Sequence, residues 1–405
     1  MIFLLVMIYI TFISLGLPDS LFGVSWPVMH LDLNVRENFA SIYMIIVAAG
    51  SGGTSFFAGP LIRKFGTGRV TFVSVLLTAA GILVVGLAPN IWVAVFGSIL
   101  LGIGAGAVDS GLNCYVAKHY KASHMNWLHC FWGVGVTVSP LIMSVFLKGG
   151  SWRDGYITIA CIQFGIAALL MFSLPLWKKY EKRPTLPALK PEEECAVSGE
   201  EAQDINKKRK APVIFGVLKM RGVPLAMLSL GLYCGMEFLL GTWGASYVVH
   251  TKSVDAATAA KWISLYYGGI MIGRFICGFL SYKLNDKGLI RLGIAVTVLG
   301  IIVLALPIGA YALTGLLLIG IGFGPIFPAT IHATPSRFGE EYSADITGLQ
   351  MGAAYAVGWS IQMCFGFIAT KTTFTFMPYM LIGVCALLLA VTEIINKITK
   401  SKTHY

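Results

Sequence analysis

Twelve stretches of mostly apolar residues, each about twenty or more long, follow one another at intervals of roughly thirty residues. A stretch of that length spans the hydrocarbon of a bilayer as an α-helix at about 1.5 Å per residue. Only 12% of the 405 residues are charged and 56% are hydrophobic, with a mean hydropathy of +0.77. A soluble globular domain carries about a quarter charged residues. The chain is therefore read as an all-α membrane protein that crosses the bilayer many times. Its net charge of +11 does not point to nucleic acid, because the basic residues sit in short loops between apolar runs.

The twelve expected spans are Ile2–Met29, Phe39–Ile62, Arg69–Ala88, Ile91–Ala117, Met125–Leu147, Gly155–Trp177, Val223–Val249, Ala260–Leu284, Leu289–Leu306, Gly309–Thr334, Ile346–Thr370 and Phe374–Ile395. Placing both termini on the cytoplasmic side puts 24 of the 30 Lys and Arg residues there, Arg274 included. The outer loops then hold only Arg36, Lys148, Arg153, Lys252, Lys261 and Lys371. Basic loops stay cytoplasmic, so this orientation is the expected one. The apolar start reads as a retained first span, since it has neither a basic n-region nor a convincing cleavage site. Between spans six and seven, 178–222 is rich in Lys, Glu and Pro and reads as a cytoplasmic linker. It separates an N-terminal bundle, 1–177, from a C-terminal bundle with a short tail, 223–405.

The most informative stretch is Gly102–Val116, GIGAGAVDSGLNCYV. Asp109 and Asn113 are four apart and share a helix face. An acid at hydrocarbon depth costs several kcal/mol, on the order of 3 or more, and is normally found facing a bundle interior or a wet cavity. Gly102, Gly104 and Gly106 allow a neighbouring helix to approach closely. Asp19 is a second stranded acid, about 25 Å along the first span and just after Gly16 and Pro18. A broken helix beside an acid is a feature of transporter sites; the plain alternative is a carboxylate capping freed backbone donors. Glu237 in span seven is the third.

The halves repeat. Gly59–Lys64 after span two resembles Gly278–Lys283 after span eight, and Gly102–Gly106 resembles Gly320–Gly324. The offsets are 219 and 218 residues, and at 218 Asp19 maps onto Glu237. Two tandem sets of six spans form an architecture with a solute site near the midplane, at the boundary between repeats.

These features resemble the major facilitator superfamily. Gly59–Arg69, with GPLIRKFGTGR, resembles that superfamily's loop between helices two and three, with Arg63 where an acid is common. Within the superfamily the chain resembles the fucose permease-like sugar–proton symporters in three places. These are Asp19 within Gly-Leu-Pro-Asp-Ser, the Asp109 and Asn113 pair in helix four, and the helix-five run Met125–Gly135, MNWLHCFWGVG. The resemblance implies twelve transmembrane helices in two pseudo-symmetric six-helix bundles, and symport of a hexose-like sugar with a proton by alternating access. Asp19, Asp109 and Glu237 would couple proton movement to transport. Arg63, Lys64, Arg69 and Arg274 would serve gating, with snorkelling to the headgroups as the plainer reading of Arg274.

Amides and an imidazole can donate to and accept from adjacent sugar hydroxyls. Asn113, Asn126 and His129 are the candidates for this in the N-terminal half; interhelical packing is the alternative for each. Trp243 is the first choice for stacking on an apolar sugar face, ahead of Trp132 and Trp359. Gln350, Tyr355 and Gln362 would complete the C-terminal wall. The eight cysteines show no CxxC or CxxH spacing, and no nucleotide-binding, zinc-protease, serine-hydrolase or calcium-loop motif occurs. The chain is expected to be a monomer in the plasma membrane, not an enzyme, with no cofactor or metal. Its expected partners are a small-molecule solute, a proton and the lipid bilayer. The competing transport reading is export or exchange of a small amphipathic compound.

Overall fold

A computed structural model describes residues 2–119, 122–181 and 213–400. Every regular element among them is helical. The helices are α1 (Ile2–Asp19), α2 (Leu21–Asp32), α3 (Phe39–Phe65), α4 (Thr67–Gly86), α5 (Ile91–His119), α6 (Ala122–Lys148) and α7 (Trp152–Glu181) in the first half. The second half holds α8 (Val213–Leu218), α9 (Val223–Lys252), α10 (Ala256–Leu280), α11 (Asp286–Ala305), α12 (Gly309–Phe338), α13 (Glu340–Ala369) and α14 (Met377–Lys400). A 3₁₀ turn, Phe374–Phe376, precedes α14.

Among the described residues, eleven segments are long and apolar enough to cross a membrane. The first joins α1 and α2 as Phe3–Asp32. The remaining long helix, α3, has a shorter apolar stretch at Phe39–Ser55. The chain divides into two compact units, Met1–Lys207 and Lys208–Tyr405. Most of the expected linker lies outside the described residues. Its end is not all irregular, since α8 forms within it.

Each unit is built on glycine crossings. In the first, Gly102 of α5 lies on Gly50 of α3, and a Cβ on Gly106 would run into the Ser51 carbonyl oxygen. Gly104 lies on another face of α5, and a Cβ there would stand 2.6 Å from the Ser74 carbonyl of α4. The three glycines therefore admit two neighbours: α3 on the 102/106 face and α4 on the 104 face. Without bulky side chains the backbones come close enough for dispersion contact along their length.

The second unit repeats these crossings with different residues. Gly320 lies on Gly269, Gly324 on Gly273, Gly322 on Gly293, and Gly315 on Gly300. The last pair matches Gly97 on Gly81. The partners on α3 and α4 recur 219 residues later, and those on α5 recur 218 later. The sequence repeat is thus a repeat of helix-crossing points. α1 packs on α6 as α9 packs on α13, closing each bundle in the same way.

Replacing Gly106 by Leu should remove folded protein, because the new side chain meets Ser51 backbone that cannot move without parting α3 from α5. Gly53→Leu, which meets nothing within 4 Å, should be neutral by comparison. The yield of monodisperse protein after detergent extraction measures the difference.

Candidate functional site

The first span is interrupted at Ser20, between α1 and α2. Pro18 has no N–H, so the Ser14 carbonyl loses its usual partner four residues on. Gln163 of α7 replaces it. Its Nε2 donates to the Ser14 carbonyl at 2.7 Å, and its Oε1 accepts from the Ser14 hydroxyl. Pro140 does the same to Val136 in α6, and there Ser20 Oγ donates to the Val136 carbonyl at 2.9 Å. Two proline defects on facing helices are thus repaired by side chains from a neighbour. Sequence reading noticed the break but not its repair. The available signals were a glutamine inside an apolar span and the carbonyls orphaned by each proline.

At this break Asp19 is exposed, and Trp132 Nε1 of α6 donates to its Oδ2 at 2.8 Å. The first span and α6 meet along one seam. Gly16 and Gly135 are in backbone contact, His129 stands edge-on to Phe12 at 5.9 Å, and Phe131 stacks on Tyr9 at 4.6 Å. The Tyr9 hydroxyl also bonds His124 Nδ1 at 2.9 Å. Tyr9, Phe12, Gly16 and Asp19 recur at helical spacing, so one face of the span carries the whole seam. The structure therefore brings together three of the expected residues, Asp19, Trp132 and His129. The Asn126 side chain lies outside the described residues.

Asp109 and Asn113 sit on α5, continuing the stripe that begins with Gly102 and Gly106. Both are half-buried, and Asn113 Nδ2 donates to Asp109 Oδ1 at 2.9 Å. The bond runs within one helix, so it does not tie α5 to a neighbour. Asn113 Oδ1 is buried without a hydrogen-bond partner. A buried acceptor in that state costs about 1–3 kcal/mol.

In the second unit the expected residues separate into two groups. Trp243 is fully buried against Phe365 and Phe374, with Nε1 donating to both oxygens of Gln362 at 3.1 Å. Gln350 is buried and accepts from the Thr334 hydroxyl at 2.9 Å. These three are packing residues here, and Trp243 offers no free face to a sugar. Glu237, Tyr355 and Trp359 keep exposed surface. Tyr355 and Trp359 are four apart on α13, and Trp359 packs on Phe238 with ring centroids 5.1 Å apart. The Trp359 N–H is buried without a partner.

Arg274 lies six residues before the end of α10 and is half-buried. Tyr233, Cys234 and Tyr266 lie in the electrostatic field of both Arg274 and Glu237. Arg274 thus shares its surroundings with an intramembrane carboxylate. Of the loop residues, Lys64 and Arg69 are exposed on either side of Gly66, whose φ of +84° turns α3 into α4. The Arg63 side chain lies outside the described residues. No cluster able to hold a metal occurs among the described residues.

The family model of the Major Facilitator Superfamily matches residues 8–363. The chain belongs to this superfamily. It is a transporter of that fold and not an enzyme. The glucose/mannose transporter GlcP of Bacillus subtilis is 21% identical over 387 residues, covering 93% of this chain and 92% of that one. Bypass of stop codon protein 6 of Saccharomyces cerevisiae is 22% identical over 285 residues, 69% of this chain but only 57% of the yeast protein. The E. coli fucose:proton symporter FucP superposes with a TM-score of 0.64 at 15% identity, covering 96% of this chain and 98% of that one. The chain shares its fold with that structure.

Substituting Gln163 by Leu should strand the Ser14 carbonyl and lower stability by about 1–3 kcal/mol. Gln163→Glu, which keeps an acceptor for the Ser14 hydroxyl but loses the donor, should also destabilise. Thermal unfolding of the detergent-solubilised transporter reads both.

Proposed function

We propose that this transporter moves a hexose-like sugar together with a proton by alternating access, as a monomer in the plasma membrane with both termini cytoplasmic. The observation that carries the reading is the half-buried Asp109 bonded to Asn113 within a span. A carboxylate there is costly when charged, so a proton that neutralises it can be loaded and released as its surroundings change. Asp19 is a second acid within the same unit, already hydrogen-bonded to an indole N–H. Glu237 is the third, in the other unit.

Asp109 is assigned the proton, and Asn113, His129 and Asn126 the sugar hydroxyls. Trp132 and Trp359 take over the stacking role from Trp243, which is enclosed. Tyr355 stays in the C-terminal wall. The relatives named for glucose, mannose and fucose support a sugar as the solute. Coupling requires that the protonated carrier bind sugar better than the deprotonated one, and the effect is reciprocal. Arg274, which shares its electrostatic surroundings with Glu237, is assigned to gating, with Arg63, Lys64 and Arg69 at the loop after α3.

A second reading is export of an amphipathic compound. A shorter match supports it: the efflux pump DEP3 of Fusarium langsethiae is 30% identical over 141 residues, 33% of this chain. The amide and acid set in the first unit favours a polyol over an apolar solute.

Proteoliposomes loaded with this protein should accumulate one or more hexoses when the outside is made acidic. Asp109→Asn should lower the accumulation ratio roughly 5- to 150-fold, the range of a coupling free energy of about 1–3 kcal/mol, while sparing exchange at equal pH. Accumulation that persists in both Asp109→Asn and Asp19→Asn removes the proton-coupling assignment. Uptake indifferent to every hexose but responsive to an amphipathic compound favours the export reading.

A further inference from the structure

On the second unit, α10, α11 and α12 leave an apolar cleft with about 80 Å³ of free space, enough for a few methylene groups. Gly273, Gly293 and Gly322 are among its lining residues. Its sides include Ile276, Val296 and Leu292. Ile276 and Leu292 are about 40% exposed and belong to wider apolar surfaces. On α10 the surface is Ile272, Phe275, Ile276 and Phe279, and on α11 it is Leu292, Leu299 and Ile302. Both recur at helical spacing, as faces turned to lipid do.

The cleft ends at the turn between α10 and α11. Leu280 lines it at the last residue of α10, and Leu289 lines it just inside α11. Lys283 and Lys287 lie in chain between those two leucines. Lys283 is exposed and Lys287 half-buried. Two other charges at this end are already paired. Asp286 accepts from His332 Nδ1 at 3.0 Å, and Arg291 makes two 2.7 Å bonds to Glu393. Among the described residues neither lysine has a carboxylate partner.

We infer that this cleft and the two lysines form a binding site for an anionic glycerophospholipid, with one acyl chain in the cleft and the phosphate between Lys283 and Lys287. An empty notch on a helix bundle forfeits dispersion contact that a flexible alkyl chain restores. Acidic headgroups are drawn to basic residues at the membrane surface, at about 1 kcal/mol each, or roughly fivefold in affinity. A zwitterionic lipid can fill the same cleft but loses that attraction. With both termini cytoplasmic, the site lies in the inner leaflet.

Native mass spectrometry of the intact transporter, titrated with phosphatidylglycerol or with phosphatidylcholine of the same acyl chains, tests this. The expected result is one tightly held phosphatidylglycerol, bound at least roughly tenfold more tightly than phosphatidylcholine. Lys283→Gln with Lys287→Gln should erase that preference. Val296→Trp, which fills the cleft, should weaken both lipids. Size-exclusion chromatography checks that the double variant keeps the fold. Equal binding of the two lipids by the unaltered protein overturns the inference. An equal loss in the control Lys219→Gln with Arg221→Gln does so too, because it shows diffuse charge attraction and no site. Unchanged binding by Val296→Trp removes the cleft from it.

Discussion

A helix surrounded by hydrocarbon has no water to satisfy a stray N–H or C=O, and this single condition shapes the first unit. Every proline placed inside a span frees a carbonyl, and something in the protein must answer it. Pro18 and Pro140 free Ser14 and Val136, and Gln163 and Ser20 answer. The repair has a structural consequence. It ties the first span to α6 and α7 at the height where the span is interrupted, and it leaves Asp19 at that interruption, within reach of the Trp132 N–H. The acid is exposed because the backbone around it has been satisfied by other means.

Helix packing in each unit follows from a second consequence of the same environment. Lipid tails are as apolar as leucine side chains, so burial alone does not bring helices together. Close backbone approach does, and the glycine crossings of α3, α4 and α5 supply it. Their recurrence on α10, α11 and α12 shows what the internal duplication preserved: points of contact, ahead of side-chain identity. Beside those crossings, an apolar cleft remains among α10, α11 and α12.

The two units have diverged in chemistry while keeping this frame. The first carries a polar pair on α5 and an acid bonded to an indole. The second places Glu237 among tyrosines, in the company of Arg274. Its buried tryptophan hydrogen bond is an internal one, from Trp243 to Gln362. The proton and solute roles proposed for this transporter accordingly rest more on the first unit than on the second.

The sequence alone determined the spans, the duplication, the superfamily and the stranded acids, because each is a local or periodic property of residue type. Asp109 and Asn113 could be paired on paper because a spacing of four residues fixes them on one helix face. Only tertiary structure could decide between a tryptophan that is enclosed and one that keeps exposed surface. Trp243, Trp132 and Trp359 look alike in an apolar run, and the difference lies in which neighbouring helix covers the ring. The same holds for Gln163 and Gln350, and for Arg274, whose partners come from distant positions in the chain. Composition reports how much polar chemistry a membrane bundle contains; the crossing of its helices determines which of it is spent on holding the bundle together and which keeps an exposed face.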